Sequence, residues 1–158
     1  MSEVYEKAKI YKKKYPGTIS WRLKAHSKVV EKHLNPGETV KFVFAAQKNE
    51  KSYHIFSTYV IALTNKRILL AQKRLLFGYL FLAITPDMFN DLTVKSGLIW
   101  GKIIIDTIKE TVVLSNVSKQ ALPRIETEVT EYMMRKKRGM VKVEKNGSLS
   151  SSVGDTKN

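Results

Sequence analysis

Residues Ser57–Lys73, STYVIALTNKRILLAQK, constrain the fold more than any other stretch, because two apolar runs rich in β-formers flank one short polar break, Thr64-Asn65-Lys66. This pattern predicts a β-hairpin. On the first arm Tyr59, Ile61 and Leu63 alternate with Thr58, Val60 and Ala62; on the second, Ile68 and Leu70 alternate with Arg67, Leu69 and Ala71. Both faces are largely apolar, which places the hairpin inside a sheet rather than at its rim. Asn65 suits the left-handed backbone that a tight turn often needs, while no Asn-Gly pair fixes the turn type.

The β pattern extends on both sides of this hairpin. Val40, Phe42 and Phe44 alternate with Lys41 and Val43, predicting a strand over 38–47, and Gln47–His54 is a polar loop. The hairpin arms occupy 56–64 and 66–73, and further strands follow near 79–85, 88–95, 98–105 and 110–115, with Lys95-Ser96-Gly97 and Asp106-Thr107 as short links. Helical spacing frames the seven strands. Val4, Ala8, Tyr11 and Tyr15 predict an amphipathic helix over 3–14, stopped by Pro16-Gly17. Ser20 is positioned to cap a second helix, in which Leu23, Ser27, Val30 and Leu34 share a face and Asn35-Pro36-Gly37 is the stop. A closing helix over 118–137 carries Ala121, Ile125, Val129 and Tyr132/Met133 on one stripe, with its firm start at Pro123 and Gly139 as its end. The Ser-rich remainder is predicted to be disordered.

At 158 residues the chain has the length of one domain. It lacks cysteine, which excludes disulfides, thiolate metal sites and a cysteine nucleophile, and which fits a reducing cytoplasm. The N-terminus has no apolar run of signal-peptide type. The longest apolar run, Leu75–Ile84, is about half of the ~20 residues that a helix needs to cross a bilayer. The formal charge of +14 is uneven: residues 1–33 carry +6, residues 34–134 carry +3 and residues 135–158 carry +5. A polyanionic partner would therefore meet the two ends first.

Seven antiparallel strands closed by one amphipathic helix is the element order of a pleckstrin-homology-like (PH-like) barrel. Pro36-Gly37-Glu38 at the first strand, Leu63-Thr64-Asn65-Lys66-Arg67-Ile68-Leu69-Leu70 in the hairpin, and Ser96-Gly97-Leu98 with Trp100-Gly101-Lys102-Ile103 further on resemble the bacterial PH-like domains. The Thr-Asn-Lys-Arg-Ile-Leu stretch is the most specific part. The resemblance implies a mainly β fold: a seven-stranded antiparallel bent sheet or barrel over 36–138 capped by its C-terminal helix. A helical extension over 1–35 precedes it, and a basic tail over 139–158 follows. It also implies a non-catalytic binding or scaffolding module without a cofactor. Eukaryotic relatives that bind phosphoinositides carry K-x-n-K/R-x-R across the first two strands; here Lys41, Lys48, Lys51 and His54 occupy that region and no K/R-x-R follows.

No G-x-S-x-G elbow is present. Gly97–Lys102 is one residue short of a phosphate loop and reads as strand; there Gly97 makes a turn and Gly101 relieves crowding beside Trp100. His26, His33 and His54 have no metal-ligand spacing and are expected at the surface or at helix ends. Lys73-Arg74 followed by Leu75–Phe81 allows two fates. The side chains can fill the barrel or pack beneath the N-terminal helices, the commoner outcome for such residues. Alternatively, Leu76 and Phe77 insert into a membrane interface beside the two cations. Lys9, Lys12, Lys13 and Lys14 at one end, and Arg135, Lys136, Lys137 and Arg138 at the other, usually form solvated faces. If functional, they suit the anionic inner face of a membrane. The alternatives are a protein partner or homo-oligomer docking on open strand edges, and nucleic acid bound through the basic ends.

Overall fold

The computed structural model describes residues 2–48 and 55–151. The alternating stretches become β1 (Val40–Gln47), β2 (Thr58–Thr64), β3 (Ile68–Lys73), β4 (Tyr79–Ile84), β5 (Phe89–Ser96), β6 (Trp100–Thr107) and β7 (Thr111–Ser118). They form one antiparallel sheet in the order β4-β3-β2-β1-β7-β6-β5, curled into a half-barrel. Two helices precede it, α1 (Glu3–Lys14) and α2 (Leu23–His33), and α3 (Leu122–Ser151) closes it. Of the expected polar loop, Gln47 is the last residue of β1, and residues 49–54 lie outside the described residues.

The central hairpin is β2–β3, paired Val60 with Ala71 and Leu63 with Ile68, and β1 and β4 flank it on either side. Every residue of β2 is buried. Packing on both faces of the sheet explains the doubly apolar pattern. On one face Phe42, Phe44, Ile61, Leu63, Ile68 and Leu70 join Leu122, Ile125, Val129 and Met133 of α3 in the barrel interior. On the other, Val43, Val60, Ala62 and Leu69 meet Val4 and Ala8 of α1 and Val29 and Val30 of α2. Tyr11, one turn further along α1, and Tyr15, just past its end, belong to the interior cluster, with the Tyr11 ring 6.3 Å from Phe44. The N-terminal helices therefore complete the packing of the sheet.

The β2–β3 turn is held by side chains. Thr64 Oγ1 accepts from the N–H groups of Lys66 (3.1 Å) and Arg67 (3.0 Å) and donates to Glu38 Oε1 (2.7 Å). The turn type, open in the sequence, does not use a left-handed Asn65: the described non-glycine residues with positive φ are Arg22 and Asn116. The Asn65 amide instead accepts from the Thr39 N–H (2.9 Å) and donates to the Gly37 carbonyl (3.2 Å), tying the turn to the entry of β1. Arg67 closes the node, with Nε 3.0 Å from Glu38 Oε1, Nη2 3.1 Å from Oε2, and Nη2 also donating to the His33 carbonyl at 2.8 Å. Burial opposes the charge on Glu38, but the hydrogen bonds from Arg67, the Asn35 N–H and Thr64 prevail and hold its carboxyl below the usual range.

Four local expectations are corrected. Helix α2 is not capped by Ser20; it starts after Arg22, whose φ of 52° is left-handed and makes no side-chain cap. That conformation costs a non-glycine residue about 1–2 kcal/mol, and the Arg22 guanidinium is held by the carbonyls of Lys73 (3.5 Å) and Arg74 (3.4 Å). Gly139 does not end α3, which continues to Ser151. Glycine stops a helix by turning left-handed, and Gly139 is not among the positive-φ glycines, Gly37 and Gly78. Leu98 and Ile99 sit in the β5–β6 turn rather than in β6, closed by the Gly97 N–H on the Trp100 carbonyl. Gly101 makes room for α3 rather than for Trp100, since a Cβ there would lie 2.3 Å from Leu122 Cδ1.

His26 is the fifth correction. It is buried, not at the surface, and its Nδ1 accepts the Lys73 backbone N–H at 2.8 Å. Burial, reinforced by the Arg22 charge, lowers its pKa from 6.5 to about 4. A histidine kept neutral by the fold stabilises it above the unfolded-state pKa. As pH falls below 6.5 the unfolded chain takes up a proton that the folded chain refuses until about pH 4. The expected loss across that window is about 3 kcal/mol. Urea unfolding at pH 7, 5.5 and 4 should show this slope in the wild type and a flatter one in His26→Asn, whose amide oxygen can still accept from Lys73. Equal slopes would refute the assignment.

Candidate functional site

The β3–β4 connection, residues 74–78, is a tight loop closed by the Arg74 N–H on the Gly78 carbonyl (3.1 Å), with Gly78 at φ 72°. It leaves Leu76 80% and Phe77 85% exposed, and Leu75 is exposed as well. These three side chains neither fill the barrel nor pack under the helices. Phe81, further along β4, does pack there, stacking on His33 with ring centroids 4.1 Å apart.

Beside this loop runs the outer face of α2. Val29 and Val30 face the sheet, so Lys24, Lys28 and Lys32, spaced four apart, fall on the solvent side and are exposed. They form one rim of a groove of ≈ 490 Å³ whose other walls are Arg22, Lys73, His33 and Tyr79, with Ala25 and Val29 as its apolar lining. A second groove, of ≈ 470 Å³, lies where α1 meets α2 and is lined by Tyr5, Lys9, Lys12, Lys13, Arg22, Leu23 and Lys24. Arg22 and Lys24 belong to both, so the two grooves form one basic band. Among the described residues, no acidic side chain lines either groove. Glu31, the acid of α2, is turned away to accept from Ser2 Oγ (2.6 Å) and the Val4 N–H (2.8 Å) at the start of α1. Among the described residues, Arg22, Lys24, Lys28, Lys32, Lys73 and Arg74 form no ion pair.

The candidates read from the sequence divide accordingly. Lys13, Lys73, Arg74, Leu76 and Phe77 lie along this band and its loop, and Lys14 is exposed nearby at the end of α1. Lys12 lines the band but its amine donates to the carbonyls of Pro16 (3.0 Å) and Thr18, and burial lowers its pKa. Lys9 is paired with Glu6 at 2.8 Å. The α3 cluster is elsewhere. Arg135 and Lys136 share a groove with Lys41, Asn65, Glu128 and Glu131, beside the β2–β3 turn and so at the opposite end of β3 from Leu76. Arg138 lines a groove that Glu131 also lines, and Lys137 Nζ donates to the Phe89 carbonyl at 2.7 Å. The sequence reading missed Arg22, Lys24, Lys28, Lys32, His33 and Tyr79. The four-residue lysine spacing was visible, but only packing shows which face of α2 is outward.

Of the three histidines, His33 is at a helix end as expected, with Nδ1 2.7 Å from the Val29 carbonyl and Nε2 3.2 Å from the Tyr79 hydroxyl. His54 lies outside the described residues. Among the described residues no helix is long and apolar enough to cross a membrane. A family model described as Bacterial PH domain matches residues 34–131, more than half of the chain. No curated protein matches the sequence.

Proposed function

Because the chain belongs to the bacterial PH-domain family, a family of binding modules, we propose that it is a non-catalytic module that docks peripherally on an anionic membrane surface, at the cytoplasmic face. The observation that carries this is the exposed Leu75-Leu76-Phe77 loop flanked by Arg22, Lys24, Lys28, Lys32, Lys73 and Arg74, which form no ion pair among the described residues. An apolar loop alone would favour any apolar partner, and a basic face alone any polyanion. Together they match an interface that is anionic outside and apolar a few ångströms deeper.

The magnitudes are sufficient. Lys or Arg near an anionic leaflet contributes about 1 kcal/mol each, and burying Leu76 and Phe77 adds about 1.5–3 kcal/mol each. Neither term alone gives firm attachment, and both together do. In co-sedimentation the protein is expected to pellet with vesicles containing anionic lipid at low salt. It should remain in solution with zwitterionic vesicles, and salt should weaken the binding progressively. Equal partition onto zwitterionic and anionic vesicles, or none onto either, would sink the proposal.

A further inference from the structure

We infer that the groove between α2 and the β3–β4 hairpin seats the headgroup of a phosphomonoester lipid, with Lys24, Lys28, Lys32, Arg22 and Lys73 around the phosphate. The inference rests on the membrane proposal above and adds a ligand class to it.

The groove has the shape and chemistry for such an occupant. Its ≈ 490 Å³ fits a phosphate with a few attached carbons and not a folded polypeptide segment. Cations stand on opposing walls, the lysines of α2 on one side and Lys73 on the other, with Arg22 shared with the adjoining groove. A dianionic phosphate accepts from several of them at once through three terminal oxygens, whereas a diester offers two and a single charge. Among the described residues, no carboxylate lines the groove to compete for these lysines. The walls also supply an apolar surface, from Ala25, Val29 and the Tyr79 ring, against which the carbon skeleton of a headgroup can lie.

The Tyr79 hydroxyl is held by His33. The Val29 carbonyl can only accept, so His33 Nδ1 carries a proton, and Nε2 pairs with the Tyr79 hydroxyl. That pair fixes the rim of the groove at the first residue of β4. Tyr79 directly follows the loop bearing Leu76 and Phe77, so a lipid with its phosphate in the groove has its apolar portion beside the inserted loop. This continuity favours a lipid over a nucleic acid, whose phosphates run in a line and carry no apolar chain.

The test compares vesicles of equal surface charge, one set containing phosphatidic acid and the other phosphatidylglycerol, with binding measured by co-sedimentation. Wild type is expected to bind the phosphatidic acid set at least about tenfold more tightly, and Lys28→Gln/Lys32→Gln to lose that preference. Arg135→Gln/Lys136→Gln, which removes the same charge from the other end of the sheet, should keep it. In a second arm, glycerol 3-phosphate is titrated into the isotopically labelled protein and should shift the amide signals of Lys24, Lys28 and Lys73. Equal affinity for the two vesicle sets, or a preference unaffected by Lys28→Gln/Lys32→Gln, overturns the inference while the membrane proposal stands. Shifts with glycerol 3-phosphate but no binding to either vesicle set overturn both, and assign the groove to a soluble phosphoester.

Discussion

Arg67→Ala is expected to destabilise the fold by about 3–5 kcal/mol, the cost of leaving a buried carboxylate without its partner. The Glu38 side chain has no exposed surface, and Arg67 is its only ion-pair partner among the described residues. Removing the guanidinium breaks two hydrogen bonds to that carboxylate and one to the His33 carbonyl at the end of α2. It thereby loosens β1, the β2–β3 turn and α2 at once. Against a typical total of about 5–15 kcal/mol, this is a large fraction. Arg67→Lys should recover little, because a single ammonium cannot span both carboxylate oxygens and the carbonyl. Glu38→Met/Arg67→Met should be less harmful than Arg67→Ala, since no charge is left unpaired. The carboxyl is held below its usual pKa of 4.5, so the stability it contributes is present above that value and is lost as pH falls through the folded-state pKa. Denaturant unfolding of the three variants checks the prediction; a loss of under about 1 kcal/mol for Arg67→Ala would show that the node is dispensable.

Leu76→Asp/Phe77→Asp is expected to weaken vesicle binding by about 100-fold or more while leaving the fold intact. The two side chains are 80% and 85% exposed, so their replacement removes almost nothing from the packed interior. If both insert, the lost burial is at least about 3 kcal/mol, and 1.4 kcal/mol is a factor of ten. Two carboxylates facing an anionic surface add repulsion. The thermal midpoint should stay within a degree or two of wild type, which separates loss of binding from loss of folding. Co-sedimentation with anionic vesicles provides the measurement. Wild-type binding by this variant would remove the loop from the interface and leave the basic band as the sole attachment.

The α2 stripe shows how much of the site was legible. Lys24, Lys28 and Lys32 are plainly spaced by one helical turn, yet this spacing is equally common on helices that do nothing but stay soluble. What distinguishes it is the hairpin opposite, which supplies Lys73, Tyr79 and the exposed loop. Those residues are 41 to 55 positions away in the chain, and no local pattern links them. The C-terminal cluster shows the converse. Arg135–Arg138 looks as strong as the N-terminal lysines, but the structure sets Arg135 and Lys136 beside Glu128 and Glu131 at the far end of β3 and ties Lys137 to the Phe89 carbonyl.

Element order, the seven strands and the place of the Ser57–Lys73 hairpin inside the sheet were readable from the chain, and the structure agrees with each. These follow from periodicity and breaker residues, which act over a few positions. Long-range packing was needed to show that Asn65 binds the entry of β1 instead of turning left-handed, that His26 is buried under Lys73, and that Leu76 and Phe77 stay in solvent. Burial of a side chain depends on what lies across from it. Here the opposing surfaces come from residues tens of positions away, brought together by the packing of α1 and α2 on the outer face of the sheet.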